Sequence, residues 1–125
     1  MPILPILSGE HATLRWVADS SKRFRAKEYF DKLDPRERAR FDALFRRMAT
    51  TGTIRNTELF RKESENIYCF KRGQHRLACY REGNALMLIN GFRKKSDKGI
   101  RLKREIQTAE RLRTEHLERT QGKTS

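Results

Sequence analysis

The chain is short of cysteine, of acidic residues and of long apolar runs, and each shortage removes a class of answer. Two cysteines in 125 residues, Cys69 and Cys79, cannot build a disulfide scaffold, and neither has Cys or His partners at zinc spacing. They are expected as small buried thiols, reduced, in a cytoplasmic protein. No window approaches the roughly 20 consecutive apolar residues of a membrane helix, so no membrane partner is expected. The apolar start, Met1 to Leu7, has no basic stretch, is interrupted by Pro2 and Pro5, and is too short for a secretory core; it reads as mature chain. Standard catalytic kits are missing as well. There is no GxxxxGK[ST] phosphate loop, no HExxH and no GxSxG, and His11, His75 and His116 are scattered, so neither metal nor cofactor is expected.

What the chain does have is positive charge. Lys and Arg number 29 against 16 Asp and Glu, a net +13 with a pI near 10.4, which points to a polyanionic partner, nucleic acid first. The length suits one domain, 1–125, and seven Phe, three Tyr and one Trp are enough to anchor a small core. No internal repeat or low-complexity run divides it.

Periodicity gives an element order. Thr13 to Val17 alternates weakly and reads as a short strand. From about Ser21, Phe24, Ala26, Phe30 and Leu33 form a helical stripe that ends where Asp34-Pro35 disfavours continuation. A second helix starts at once, with Asp34 as N-cap, Pro35 at the first position and Glu37 as the reciprocal capping partner. Phe41, Leu44, Phe45 and Met48 repeat at helical spacing, and Gly52 ends the run. Then the pattern shortens to Ile67–Phe70, Arg76–Arg81 and Ala85–Phe92, an antiparallel meander. Ala85 to Ile89 is apolar on both faces and belongs mid-sheet under helices on at least one side. From about Ser96 a helix returns, with Leu102, Ile106, Ala109, Leu112 and Leu117 on one stripe; residues 120–125 read as a disordered tail. The fold class is α+β, two N-terminal helices and a C-terminal helix packed on a small antiparallel sheet.

Cations gather on and beside the meander: Lys71, Arg72, His75, Arg76 and Arg81, then Arg93, Lys94, Lys95 and Lys98. Arg76 opens a strand whose Ala78 and Tyr80 share its face, so its guanidinium is expected to project from the sheet and suit a phosphate. The plainer alternative is an edge-strand arginine kept for solubility or paired with Glu63 or Glu65. Arg93 to Lys95 reads equally as a solvated connector. His75 is a candidate for proton transfer, against the alternative of an exposed turn histidine. Tyr68, Phe70 and Tyr80 are candidates for base stacking, against the alternative of core. Cys69 and Cys79, symmetric about Gln74, are candidate cross-strand neighbours.

In order and spacing, Phe24 to Leu33, the capped helix from Asp34 to Gly52, Asn66 to Phe70, His75 to Tyr80, Leu88 to Lys95 and Arg104 to Ala109 resemble the RelE/ParE toxin superfamily. The likeness is greatest to its HigB-like, phage-derived branch, and its most specific parts are Arg76 with Tyr80 and the turn Gly91 to Lys95. It implies a compact microbial RNase fold, ribosome-dependent cleavage of mRNA, contact with ribosomal RNA, and neutralisation by a cognate antitoxin protein. It also implies that Arg76 is the catalytic strand arginine and that Arg93, Lys94 and Lys95 are the basic segment after the last strand. Two features depart from the family pattern. Tyr68 and Phe70 stand where the RelE branch has strand lysines, with Lys71 and Arg72 displaced toward the turn, and no C-terminal catalytic tyrosine is found. The implied chemistry is metal-free attack of the RNA's own 2′-OH on the adjacent phosphate. Arg76 with Lys94 or Lys95 would stabilise charge, His75 or a lysine of lowered pKa would move the proton, and Lys71, Arg72, Arg93, Lys98 and Tyr80 would bind RNA. The alternatives are a ParE-like inhibitor of DNA gyrase, a non-catalytic RNA-binding protein of the same fold, and an unrelated basic domain.

Overall fold

A computed structural model describes residues 3–94 and 99–122 of the chain. Six strands form one sheet: β1 (Ile3–Ser8), β2 (Thr13–Val17), β3 (Phe60–Lys62), β4 (Tyr68–Arg72), β5 (His75–Glu82) and β6 (Ala85–Arg93). Their order across the sheet is β1-β2-β6-β5-β4-β3, antiparallel throughout except for the parallel pair β2 and β6. Helices α1 (Arg25–Asp31) and α2 (Pro35–Thr51) pack on one face, and α3 (Ile100–Gly122) packs on the other. The result is a single α+β domain in three layers.

The meander explains why β6 is apolar on both faces. Leu86 and Leu88 enter the core beneath α1 and α2, while Ala85, Met87 and Ile89 enter the second core beneath α3. Each face is covered, as a central strand with period-two alternation requires. The first core is aromatic: Phe45 is fully buried, with ring centroids of Trp16, Phe30, Phe41 and Phe70 at 6.1, 5.9, 6.3 and 5.2 Å.

The helix signals hold in most of their details. Asp34 accepts the Glu37 backbone N–H at 3.0 Å, and Gly52 closes α2 with φ of 79° and its N–H on the Met48 carbonyl at 2.7 Å. Only half of the expected reciprocal cap forms, because the Glu37 carboxylate lies toward Arg40 at 3.4 Å. α1 is shorter than its apolar stripe and has no side-chain cap, so its place is set by packing on β6. Gly91 permits that packing: a Cβ there would lie 2.5 Å from the Tyr29 Cβ.

Two strands had no signal in the sequence. β1 is an edge strand, where the missing N–H of Pro5 is tolerated and a register shift separates Pro5 from Leu7. β3 is three residues long and closes the other edge. At the far end, α3 runs through Gly122, past the point where the tail was expected to begin at residue 120; residues 123–125 lie outside the described residues. Among the described residues no helix is long and apolar enough to cross a membrane, and no cluster of His, Cys, Asp and Glu could hold a metal ion.

Candidate functional site

β4 and β5 are joined by a two-residue turn, Gly73-Gln74, and β6 ends beside it. The Lys94 backbone N–H donates to the Gln74 carbonyl at 2.7 Å, and Arg93 Nε donates to the Gln74 side chain at 2.9 Å. The basic segment after β6 and the basic turn between β4 and β5 therefore meet at one end of the sheet. Lys95 and Lys98 lie outside the described residues.

Strand alternation divides these cations between two faces. Toward α1, Arg72 stands opposite His75, which stands opposite Arg93. Toward α3, Lys71 stands opposite Arg76, which stands opposite Phe92 of the α3-side core. His75 and Arg76 are adjacent in sequence and for that reason point to opposite sides.

Arg76 does not stand out from the sheet as expected. It is 6% exposed, and its Nη1 donates to the Gly73 carbonyl at 2.7 Å and the His75 carbonyl at 3.1 Å. The guanidinium thus folds back onto the turn at the sheet end. Nor is it an edge-strand arginine, since β5 is interior, and among the described residues it has no ion pair within 4 Å with Glu63 or Glu65. Glu63 is nonetheless close enough to act electrostatically on both Arg76 and Lys71. Burial lowers the Arg76 pKa from the ordinary guanidinium value, which leaves it a cation. Lys71 is likewise held below the ordinary lysine value, by burial first and then by Arg76 across the strand pair. Its Nζ donates to the Thr57 carbonyl at 3.0 Å.

Two expected members are elsewhere. Tyr80 does share a face with Arg76, but it is 1% exposed beneath α3, with the His116 ring centroid at 6.2 Å and the Arg113 guanidinium 5.8 Å from its own. A ring enclosed on both sides offers no face for a base, so its expected RNA-binding role is corrected to core packing. Arg81 lies toward the other end of β5, over the Tyr68 ring at 5.3 Å, and Tyr68 and Phe70 pack on the α2 side. The cysteines are buried and free, and their pairing is offset by one residue, Tyr68 with Cys79 and Cys69 with Ala78. That offset puts the two thiols on opposite faces.

One residue of the site had escaped the sequence. Tyr29, half-buried on α1 against the aromatic core, places its hydroxyl 2.6 Å from His75 Nδ1. It also lines a cleft of about 330 Å³ between α1 and β6, where the cations Arg23, Arg25 and Lys32 face the carboxylates of Glu28 and Glu105. Arg23 and Arg25 are already neutralised there, by Glu28 at 2.8 Å and by Asp19 at 2.8 Å. The stronger site for an anion is the sheet end.

Residues 28–114 match the family described as "Phage derived protein Gp49-like (DUF891)", well over half of the chain. The protein belongs to this family, which is a RelE/ParE-like family of toxin–antitoxin toxins. No curated protein and no solved structure matches the chain.

Proposed function

We propose that the protein is the toxin of a type II toxin–antitoxin pair, of the HigB-like branch, and that it arrests translation in the cytoplasm by cutting mRNA on the ribosome. The observation that carries this reading is the gathering of Lys71, Arg72, His75, Arg76, Arg93 and Lys94 around one tight turn. Fixed guanidiniums beside an imidazole suit a phosphodiester, because RNA brings its own nucleophile and the protein need supply only orientation, charge and a proton acceptor.

The 2′-oxygen attacks the adjacent phosphorus as the bond to the 5′-oxygen breaks. Arg76, with Lys94 and Lys95, stabilises the charge that develops on the phosphate oxygens. Nη1 of Arg76 is committed to the turn, and among the described residues Nε and Nη2 have no protein acceptor, so these are its donors for phosphate. His75 takes the proton, and Lys71, Arg72, Arg93 and Lys98 hold the strand. The cognate antitoxin is the protein partner, and ribosomal RNA is the second polyanion for the +13 surface. No metal or cofactor enters this chemistry.

The test is induction of the chain in a bacterium, with mapping of mRNA 5′ ends. Cleavage within translated messages is expected, and Arg76→Ala should lower it by about 10²- to 10³-fold, the usual cost of one preorganised donor. Arg76→Lys should restore only part, lacking the planar fork, and circular dichroism should show both variants folded. Growth arrest with broken DNA and intact mRNA would identify a gyrase poison instead. Arrest without any nucleic-acid break would leave a binding protein.

A further inference from the structure

Across the α1 face, at the open end of the sheet, one row of side chains runs Arg72, His75, Arg93 over three strands. Tyr29 closes the row from α1, its hydroxyl 2.6 Å from His75 Nδ1 and its ring centroid 5.8 Å from the imidazole's. Core packing does not account for this arrangement. Arg93 is exposed, and Arg72 Nε is shut off from solvent with no acceptor among the described residues. A buried guanidinium donor left without a partner is costly, and the exposed Arg93 guanidinium in the same row is open to an anion.

We propose that Tyr29 is the positioning residue that makes His75 the general base, fixing the imidazole with Nδ1–H donated to the phenol oxygen and Nε2 unprotonated toward the RNA. The proposal rests on the endoribonuclease reading and supplies the tyrosine that the C-terminal segment lacks. A histidine whose one nitrogen is held has its tautomer and ring orientation set by that bond. Three elements face the imidazole: α1 with the phenol of Tyr29, β4 with Arg72 and β6 with Arg93. Both charged neighbours are cations, which draw the phosphodiester to the imidazole. Tyr29 itself keeps its proton: burial raises its pKa above the ordinary phenol value, against the opposing pull of Arg93 and Arg76.

In the step, His75 Nε2 takes the 2′-hydroxyl proton while the 2′-oxygen to phosphorus bond forms. The phosphorus to 5′-oxygen bond breaks, leaving a 2′,3′-cyclic phosphate. The departing 5′-oxygen takes a proton from water, and the imidazolium returns its own to the resulting hydroxide. Atoms and charge close with water as the sole additional reactant. The phenol oxygen accepts from Nδ1–H throughout and steadies the imidazolium while it exists.

Tyr29→Phe preserves the ring and its packing, so the fold is expected to survive it. Wild type, Tyr29→Phe and His75→Gln, made by cell-free synthesis, are compared on messages bound to ribosomes across pH. His75→Gln should lose at least about 100-fold in rate, and Tyr29→Phe about 10- to 100-fold with a displaced pH profile. Independently of activity, nitrogen-15 spectra of the free protein should show His75 protonated at Nδ1 in wild type and redistributed toward Nε2 in Tyr29→Phe. If wild type cleaves and Tyr29→Phe matches it in rate and pH profile, the role of Tyr29 is overturned and the endoribonuclease reading stands. A wild-type imidazole protonated at Nε2, with Nδ1 accepting from the phenol, overturns it as well. If wild type cleaves no message, the endoribonuclease reading fails and takes this step with it; the spectra then say only whether the pair forms.

Discussion

Replacing Gly91 by alanine tests, with one methyl group, how α1 is seated and how the site is held. The glycine lies on β6 directly beneath Tyr29, and a Cβ there would sit 2.5 Å from the Tyr29 Cβ, 2.9 Å from its Cγ and 3.2 Å from Leu77 Cδ2. Carbon atoms in contact prefer about 3.5 to 4.0 Å, so α1 must retreat by roughly 1 Å. The nearest clashing atom, Tyr29 Cβ, is fixed by the helix backbone, so no rotamer change removes that contact. Overpacking of this kind costs about 1 to 3 kcal/mol. At about 4 °C per kcal/mol for a domain of this size, the melting midpoint should fall by roughly 4 to 12 °C. The same retreat carries the Tyr29 hydroxyl away from His75 Nδ1, a bond of 2.6 Å with little slack. Calorimetry and the histidine nitrogen spectrum of the variant therefore have to change together. An alanine variant with the wild-type midpoint and an undisturbed His75 signal would mean that α1 does not approach β6 as closely as described.

Phe45→Ala, in a fully buried ring touching four other aromatics, should destabilise the domain by about 3 to 5 kcal/mol in urea titration, and a change under 1 kcal/mol would show that this core is loosely packed. Burial raises both thiols, Cys69 well above the ordinary value and Cys79 to about 12, so neither should react with a thiol reagent in the native state near neutral pH, whereas both react in denaturant. Rapid native labelling would contradict their placement. Asp19 provides an acid limb to stability. Burial pushes its carboxyl up, but the Arg25 side chain and the backbone N–H groups of Arg23 and Ser21 outweigh that and hold it below the ordinary value. A lowered folded pKa stabilises above the unfolded value and is lost as pH falls through the folded one. Asp19→Asn should therefore be less stable than wild type near pH 7, with the gap closing below about pH 4 in melts across pH. A gap independent of pH would assign the loss to geometry instead of charge.

The fold was legible where local chemistry and tertiary burial agree. Asp34-Pro35, the stripe Phe41, Leu44, Phe45 and Met48, and Gly52 all describe α2, because cap, apolar face and left-handed stop are encoded within one stretch of chain. The meander was legible for the same reason, its runs separated by tight turns. β1 and β3 were not, since an edge strand needs apolar contact on one side only and owes its existence to the partner it pairs with. A proline has no N–H for a central ladder, and the edge position of β1, with its register shift beside Pro5, makes a strand there compatible with the sheet.

The site was legible in composition and illegible in arrangement. Among the described residues the cations singled out in the sequence gather at one end of the meander, apart from Arg81, and the period-two rule that joined Arg76 to Ala78 and Tyr80 holds in β5. Its consequence runs against the expected site. A residue that shares a face with Tyr80 shares its burial unless the helix above it ends first, and where α3 lies over the sheet depends on packing that no strand pattern records. The same rule places His75 opposite to Arg76, so two neighbours in sequence cannot approach one phosphate from the middle of a sheet. They can do so only where the sheet stops. At the Gly73-Gln74 turn the Arg76 guanidinium reaches the carbonyls of Gly73 and His75 and comes within electrostatic range of Tyr29. Tyr29 itself is 46 residues from His75 and indistinguishable in sequence from a core aromatic on the stripe of α1. What joins them is the close approach of α1 to β6, permitted by the bare Cα of Gly91, which is why a glycine in the most recognisable segment of the chain decides whether the Tyr29 hydroxyl reaches His75.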